Sequence, residues 1–246
     1  MAATNKRNIG ETIWSVLTVL VGVMILVGIY LSIMGAPDAM NLPTETERRV
    51  QHVFYFHVAS GWVGFFAFLV TAIASILYLI TKKRRWDHIA LSSVEIGVAF
   101  TTANVVSGSI WARPTWNTWW PWNDPRITSA AIVWLIYVAY IMLRNAIDDP
   151  ERRARLASVY GIIGFISVPI TFLSIRLWRT IHPAVIGTAG AEGKGGFDMA
   201  GNMVGVLLFS VATFTLLYFV LLHVRLKLED LREEVDDLKA IALVEV

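Results

Sequence analysis

The chain has 246 residues, of which 56% are hydrophobic and 16% are charged, and it contains no cysteine. A soluble domain of this length contains about a quarter charged residues. Here long apolar blocks alternate with short charged clusters, which excludes a single buried core surrounded by water. The absence of cysteine excludes a disulfide, a thiolate metal site and a cofactor attached to this chain by thioether bonds.

Six apolar blocks are long enough to cross a bilayer, which takes about 20 residues of helix. Backbone amides in lipid must be satisfied within their own segment, which favours helices over strands. The blocks cover residues 12–34, 52–81, 89–111, 128–143, 156–178 and 199–224. The predicted fold class is an all-α integral membrane protein, a six-helix transmembrane bundle. The first block has no signal-peptide cleavage site and is expected to remain as a helix. Pro169, with the glycines at 161 and 164, is expected to kink the fifth helix without ending it.

The basic residues predict how the bundle is oriented. Fourteen of the 21 lysines and arginines lie in the N-terminal tail, the second and fourth loops and the C-terminal tail. The positive-inside rule places these segments in the cytoplasm. Both termini are then cytoplasmic, and the loops at 35–51, 112–127 and 179–198 face outward. Glu95, near the cytoplasmic end of the third span, is expected to pair with a basic residue there.

Two units are expected along the chain: a six-span membrane domain over residues 1–225 and a cytoplasmic tail over residues 226–246. The tail has apolar residues at 228, 231, 235 and 238 with acidic residues between them, which is typical of a short amphipathic helix. Two interpretations stay open, a solvated helix packed on the chain's own cytoplasmic loops and a helix that docks a partner.

The segment 111–128 is exceptionally rich in tryptophan. Five of the ten tryptophans fall within it, at positions 111, 116, 119, 120 and 122. An aromatic belt at the membrane interface explains one or two tryptophans at each helix end. The interleaved prolines at 114, 121 and 125 favour a rigid, non-helical path. The segment therefore predicts a flat apolar platform on the outward side, suited to a flat apolar ligand with a polar rim.

Two histidines approach the same predicted face. His57 lies about one and a half turns into the second helix from its outward end, and His182 lies just past the outward end of the fifth. A lone histidine in an apolar helix is commonly a satisfied polar residue, yet ionisable groups within spans are functional candidates. Two imidazoles at matching depth beside an aromatic platform fit axial coordination of a porphyrin iron. His52 lies about 140° round the helix from His57 and cannot share its ligand position.

Outward arginines form the third feature of this face, at positions 113, 126, 176 and 179. Arginine binds carboxylates through two parallel hydrogen bonds, and haem propionates are carboxylates. Each arginine is equally compatible with pairing to Asp124, a lipid phosphate or solvent. Together they favour a flat ligand that carries negative charge.

The segment 111–128 resembles the Trp-rich signature of the haem-handling proteins of cytochrome c biogenesis, and the whole chain resembles the CcmC family. The resemblance extends from about residue 12 to residue 224 and includes Phe-His57-Val-Ala and Trp-Arg-Thr-Ile-His182-Pro. Two positions depart from the family pattern. Asn117 stands where the family usually has glycine, and Asn123 separates the last tryptophan of the segment from Asp124.

The resemblance implies a ligand set as well as a fold. His57 and His182 would be axial ligands of haem iron. The remaining cofactor-binding residues implied by the resemblance are Trp116, Trp119, Trp120, Trp122, Asp124, Arg113, Arg126 and Arg179.

The resemblance also implies a function in the bacterial cytoplasmic (inner) membrane. The chain would bind haem b transiently at the outer membrane–water interface and deliver it to a periplasmic haem chaperone for cytochrome c maturation. Its partners would be an ABC ATPase subunit, a second membrane subunit and a small membrane peptide of one haem-release complex. It is not expected to be an enzyme, since no Gly-x-x-x-x-Gly-Lys-Ser/Thr loop for ATP occurs. The alternatives are a b-type cytochrome subunit, a component of a system II cytochrome c synthetase and a small-solute permease.

Overall fold

The computed structural model describes residues 9–38, 42, 44–183, 199 and 201–244. All regular elements of these residues are helical. They are α1 (Ile9–Tyr30, continued by a π-helical turn Leu31–Gly35), α2 (Glu45–Val50), α3 (Val53–Thr81), α4 (Arg84–Trp116), α5 (Pro125–Asn145), α6 (Pro150–Phe165), α7 (Ser167–Leu177) and α8 (Gly201–Val244). Six segments are long and apolar enough to span a membrane, with α6 and α7 together forming one of them. The predicted all-α, six-span fold is confirmed.

Helix α4 continues beyond the predicted start of the Trp-rich loop. It runs to Trp116 with Pro114 inside its last turn, so the prediction of a non-helical path is wrong for residues 111–116. A proline removes one backbone hydrogen bond, and close to a helix end few residues remain to be disturbed. The helix ends at Asn117, whose φ of 53° lies in the left-handed region. The irregular part of the Trp-rich segment therefore covers only residues 117–124.

Helix α5 begins three residues before its predicted boundary. Asp124 is its N-cap and Pro125 occupies the first helical position, a combination that favours a helix start. The fifth span is interrupted at Ile166, between α6 and α7, three residues before Pro169. Pro169 has no N–H to donate to Phe165, which accounts for the predicted kink. Helix α8 runs through residue 225 without a break, so the tail extends the sixth span.

Helix α3 lies at the centre of the bundle and packs against α4, α6 and α8. Phe65 and Phe68 of α3 form the main core cluster with Val94 of α4 and Tyr137 of α5. Helix α1 packs mainly against α8 and leaves most of its surface exposed, as expected for a helix that faces lipid. This packing brings the start of α3, the end of α4 and the start of α5 to one end of the bundle.

The opposite end gathers charged residues. Asp87 and Arg144 form a buried bidentate ion pair with nitrogen–oxygen distances of 2.5 and 2.9 Å. Glu95 pairs with Arg225 of α8, which confirms the predicted pairing of this carboxylate. Arg84 also contacts Glu233, beyond the sixth span, at 2.7 Å. The two ends of the bundle thus differ sharply in charge.

A topology reporter tests the predicted orientation. An alkaline phosphatase fused after residue 120 is expected to be active, because the positive-inside rule leaves the Trp-rich end outside the cytoplasm. A matched fusion after residue 148, in the basic fourth loop, should be inactive. The reverse pattern of activities would place the Trp-rich end in the cytoplasm.

Candidate functional site

An open cleft lies at the Trp-rich end of the bundle. It encloses about 880 Å³, which is within the size range of small-molecule sites. Its walls come from the residues around the start of α3, the end of α4, the start of α5 and the segment after α7. Most of its lining is apolar or aromatic. The polar lining residues are Gln51, His57, Asn104, Arg126 and His182, together with the indoles of Trp111, Trp116 and Trp120.

The ring of His57 is held by three residues on one face of α4. Its Nδ1 lies 3.0 Å from the carbonyl oxygen of Asn104 and 3.1 Å from the hydroxyl of Ser107. The Asn104 amide donates to the His57 carbonyl at 2.8 Å and approaches Nε2 only to 3.4 Å, too far for a strong hydrogen bond. Gly108 leaves room for the ring, since a Cβ there would lie 2.9 Å from Cε1.

His182 faces His57 across the cleft. The centroids of the two imidazoles are 6.4 Å apart and their planes are tilted by 38°. The Nδ1 of His182 lies 2.9 Å from the carbonyl oxygen of Pro183. Desolvation and the positive charge of Arg126 lower the pKa of His182 to about 3. The ring is therefore neutral at physiological pH, as a metal ligand must be.

The two imidazoles are arranged as ligands of one metal ion. In each, Nδ1 is directed at a backbone carbonyl, which is how metal-bound histidines are oriented and which leaves Nε2 for the metal. A metal–nitrogen bond is about 2 Å and the ring centroid lies roughly 1 Å further back, so a shared ion separates the centroids by about 6 Å. The separation of 6.4 Å agrees with that value.

Arg126 places a buried positive charge in the same cleft. Its guanidinium lies between the rings of Phe65 and Phe172, at 5.9 and 5.7 Å from their centroids. Its Nη1 is buried and has no hydrogen-bond partner among the described residues, and the same holds for Nε1 of Trp120. Buried polar groups left unpaired are costly. An anionic group of a ligand would satisfy both donors.

The predicted tryptophans divide into two groups. Trp116 and Trp120 line the cleft together with Trp111, whose ring meets that of Trp116 edge to face at 5.0 Å. Trp119 and Trp122 do not line it, and 60% and 73% of their surfaces are exposed. The apolar platform inside the cleft therefore has three indoles, and the outer two lie on its exposed side.

Comparison with known proteins agrees with this geometry. The sequence model of the CcmC family, described as heme exporter protein C, matches residues 2–241. The chain belongs to the CcmC family. The heme exporter protein C of Bradyrhizobium diazoefficiens is 33% identical over 217 residues, which are 88% of this chain and 78% of that protein. That of Escherichia coli strain K12 is 34% identical over 132 residues, or 53% of each chain. A putative cytochrome c biosynthesis ccmC-like mitochondrial protein of Arabidopsis thaliana is 30% identical over 193 residues, 78% of this chain and 69% of that protein.

The departure from the CcmC pattern at Asn117 has a backbone explanation. Asn117 ends α4 with φ 53° and ψ 25°, a left-handed conformation that glycine adopts without cost and asparagine tolerates best among the other residues. Arg113 donates to both the backbone and the side-chain oxygen of Asn117, at 2.9 and 2.7 Å. Its guanidinium also lies 6.0 Å from the ring of Trp119. Arg113 thus stabilises the end of α4 at the edge of the Trp-rich segment.

Two further predicted ligand residues of this CcmC chain lie outside the cleft wall. Arg179 is exposed and follows α7. Asp124 is 5% exposed, and both of its oxygens accept hydrogen bonds from this chain. The direct contacts that the resemblance implies for these two residues stay predictions.

Sequence reasoning overlooked the residues that orient the histidines. Asn104, Ser107 and Gly108 were not predicted as site residues, although their spacing of three and one places them on one face of a helix. A polar face within an apolar span is the signal that could have identified them. Thr180, which contacts Asp124 beside His182, has no comparable signal because it lies in an irregular segment.

Proposed function

We propose that this CcmC family member holds haem b between His57 and His182 at the outer membrane–water interface and delivers it for cytochrome c maturation. The observation that carries the proposal is the separation of the two imidazoles, 6.4 Å across an open cleft lined by tryptophan. Two imidazoles supply the two axial positions of an iron, and a porphyrin supplies the four equatorial ones.

The remaining groups of the cleft match the rest of the haem. Trp111, Trp116 and Trp120 offer apolar, aromatic surface to the macrocycle. The unpaired Nη1 of Arg126 and Nε1 of Trp120 are hydrogen-bond donors for a propionate. Because the chain has no cysteine, the haem is held without a thioether bond and can leave. Haem is therefore cargo in this proposal and is released intact.

Delivery requires that an acceptor reach the bound haem. The cleft is open, and Trp122 extends the aromatic surface outward from Trp120, with ring centroids 6.0 Å apart. Such an exposed edge suits a periplasmic haem chaperone that takes the haem from the cleft. We assign ATP hydrolysis to a cassette subunit of the same complex, which would also contain a second membrane subunit and a small membrane peptide. The family name, heme exporter protein C, agrees with this assignment.

Optical spectra of the purified protein test the axial ligands. Wild-type protein produced with ample haem is expected to show the Soret and visible bands of a low-spin, bis-histidine haem. His57→Ala and His182→Ala should each lose haem or convert it to a high-spin form, because one axial ligand is missing. His88→Ala is the matched control, since His88 lies at the opposite end of the bundle near Glu233. Spectra that neither cleft substitution changes would refute the assignment.

A further inference from the structure

We propose that Asp124 is a positioning residue that holds His182 in place through Thr180 and the peptide N–H of Ile181. The proposal rests on the proposed function, in which His182 is an axial ligand. It assigns to Asp124 a role that does not require contact with haem.

The carboxylate of Asp124 joins two separate segments. Its Oδ1 accepts hydrogen bonds from the backbone N–H groups of Arg126 and Ile127, both at 3.0 Å, and so caps α5. Its Oδ2 accepts from the Thr180 hydroxyl at 2.7 Å and from the backbone N–H of Ile181 at 2.8 Å. Hydrogen bonds to a carboxylate are stronger than those between neutral groups, and this carboxylate is buried.

The hydrogen bonds continue to His182 itself. The backbone N–H of His182 donates to the Thr180 hydroxyl oxygen at 3.0 Å, and that hydroxyl donates in turn to Asp124. Two consecutive peptide groups, at 181 and 182, are thereby tied to one side chain. The position of the His182 backbone relative to α5 follows from these contacts.

This segment depends on side-chain contacts because regular helix ends before it. Helix α7 ends at Leu177, and Trp178 is extended, with φ −123° and ψ 157°. The Ile181 side chain is 53% exposed, so apolar packing contributes little to the position of the segment. Because Asp124 also caps the helix that carries Arg126, one carboxylate sets the relative positions of an iron ligand and the cleft cation.

Asparagine at position 124 separates the two halves of the contact. Asparagine is as good an N-cap as aspartate, so the amide oxygen can keep the bonds to α5. The NH₂ group must then face the N–H of Ile181, where two donors oppose each other. We expect Asp124→Asn to remain folded, to bind haem about 10–100-fold more weakly and to show a high-spin, His57-ligated spectrum. Thr180→Val should act in the same direction, whereas Thr180→Ser keeps the hydroxyl and should match wild type.

A second measurement reports on the segment without haem. Because the chain has no cysteine, a single cysteine in place of Ile181 can carry a nitroxide label. Asp124→Asn and Thr180→Val should each increase the mobility of this label in the haem-free protein, and Thr180→Ser should not. The Thr180 pair keeps the test decisive if Asp124→Asn fails to fold.

The two readouts distinguish the failure of this proposal from that of the proposed function. A wild-type protein without a bis-histidine spectrum would refute the function, while the label would still report whether Asp124 holds the segment. Unchanged label mobility in both variants would overturn the positioning role. Increased mobility with an unchanged haem spectrum would overturn the claim that this contact positions the iron ligand.

Discussion

Alanine at position 108 is expected to weaken haem binding about 10–100-fold and to leave the stability of the bundle unimpaired. A Cβ at this position would lie 2.9 Å from Cε1 of His57, closer than two carbon atoms can pack. The imidazole must therefore shift, although its Nδ1 is held at 3.0 Å by the Asn104 carbonyl. The helix itself should gain, because alanine is favoured over glycine in a helix by about 0.8–1.0 kcal/mol. A haem titration beside thermal unfolding measures both quantities.

Gly205→Ala is the matched control for this prediction. Gly205 lies in α8, where an added Cβ meets no atom within 4 Å, so the helix gains and nothing is displaced. Its haem affinity should equal that of wild type. Gly61→Ala provides an independent variant, since its Cβ would press on the Asn104 amide at 2.8 Å and disturb His57 indirectly. Wild-type affinity in both Gly108→Ala and Gly61→Ala would show that the position of His57 does not limit binding.

Asp87→Ala is expected to cause the largest loss of stability, about 3–5 kcal/mol, because it leaves a buried charge without its partner. Asp87 forms two hydrogen bonds to Arg144, at 2.5 and 2.9 Å. The side chains of Arg144 and Asp87 are only 6% and 13% exposed, so water cannot replace the lost carboxylate. Denaturant unfolding in detergent micelles or bicelles measures the change in free energy.

An exposed ion pair controls for the general effect of removing a carboxylate. Glu45 pairs with Arg49 at 2.5 Å with both side chains 77% exposed, and Glu45→Ala should cost less than about 1 kcal/mol. Replacing Asp87 and Arg144 together by leucine should recover most of the loss, because no uncompensated charge remains. Equal losses in the single Asp87 variant and in the double variant would contradict this explanation.

Much of the fold could be predicted because it depends on local properties of the chain. The six spans follow from block length and hydropathy, and the kink near Pro169 follows from a missing N–H. The boundaries were less accurate where local signals compete. Pro114 was read as a helix breaker but lies inside α4, and Asp124-Pro125 was read as loop although it starts α5. Glu95 was expected to find a basic partner, but only packing of α8 on α4 selects Arg225.

The sequence by itself determined the residue types of the site: two histidines, an indole-rich segment and arginines near the same helix ends. Residue type and approximate depth follow from the pattern because both are properties of single segments. Only the tertiary structure decided which of these residues meet. It selects Arg126 as the buried cleft cation and turns Trp119 and Trp122 outward. The physical reason is that these contacts join segments about 50 residues apart, such as His57 with Asn104 and Asp124 with Thr180. Helix packing and irregular backbone, which no local pattern encodes, bring such pairs together.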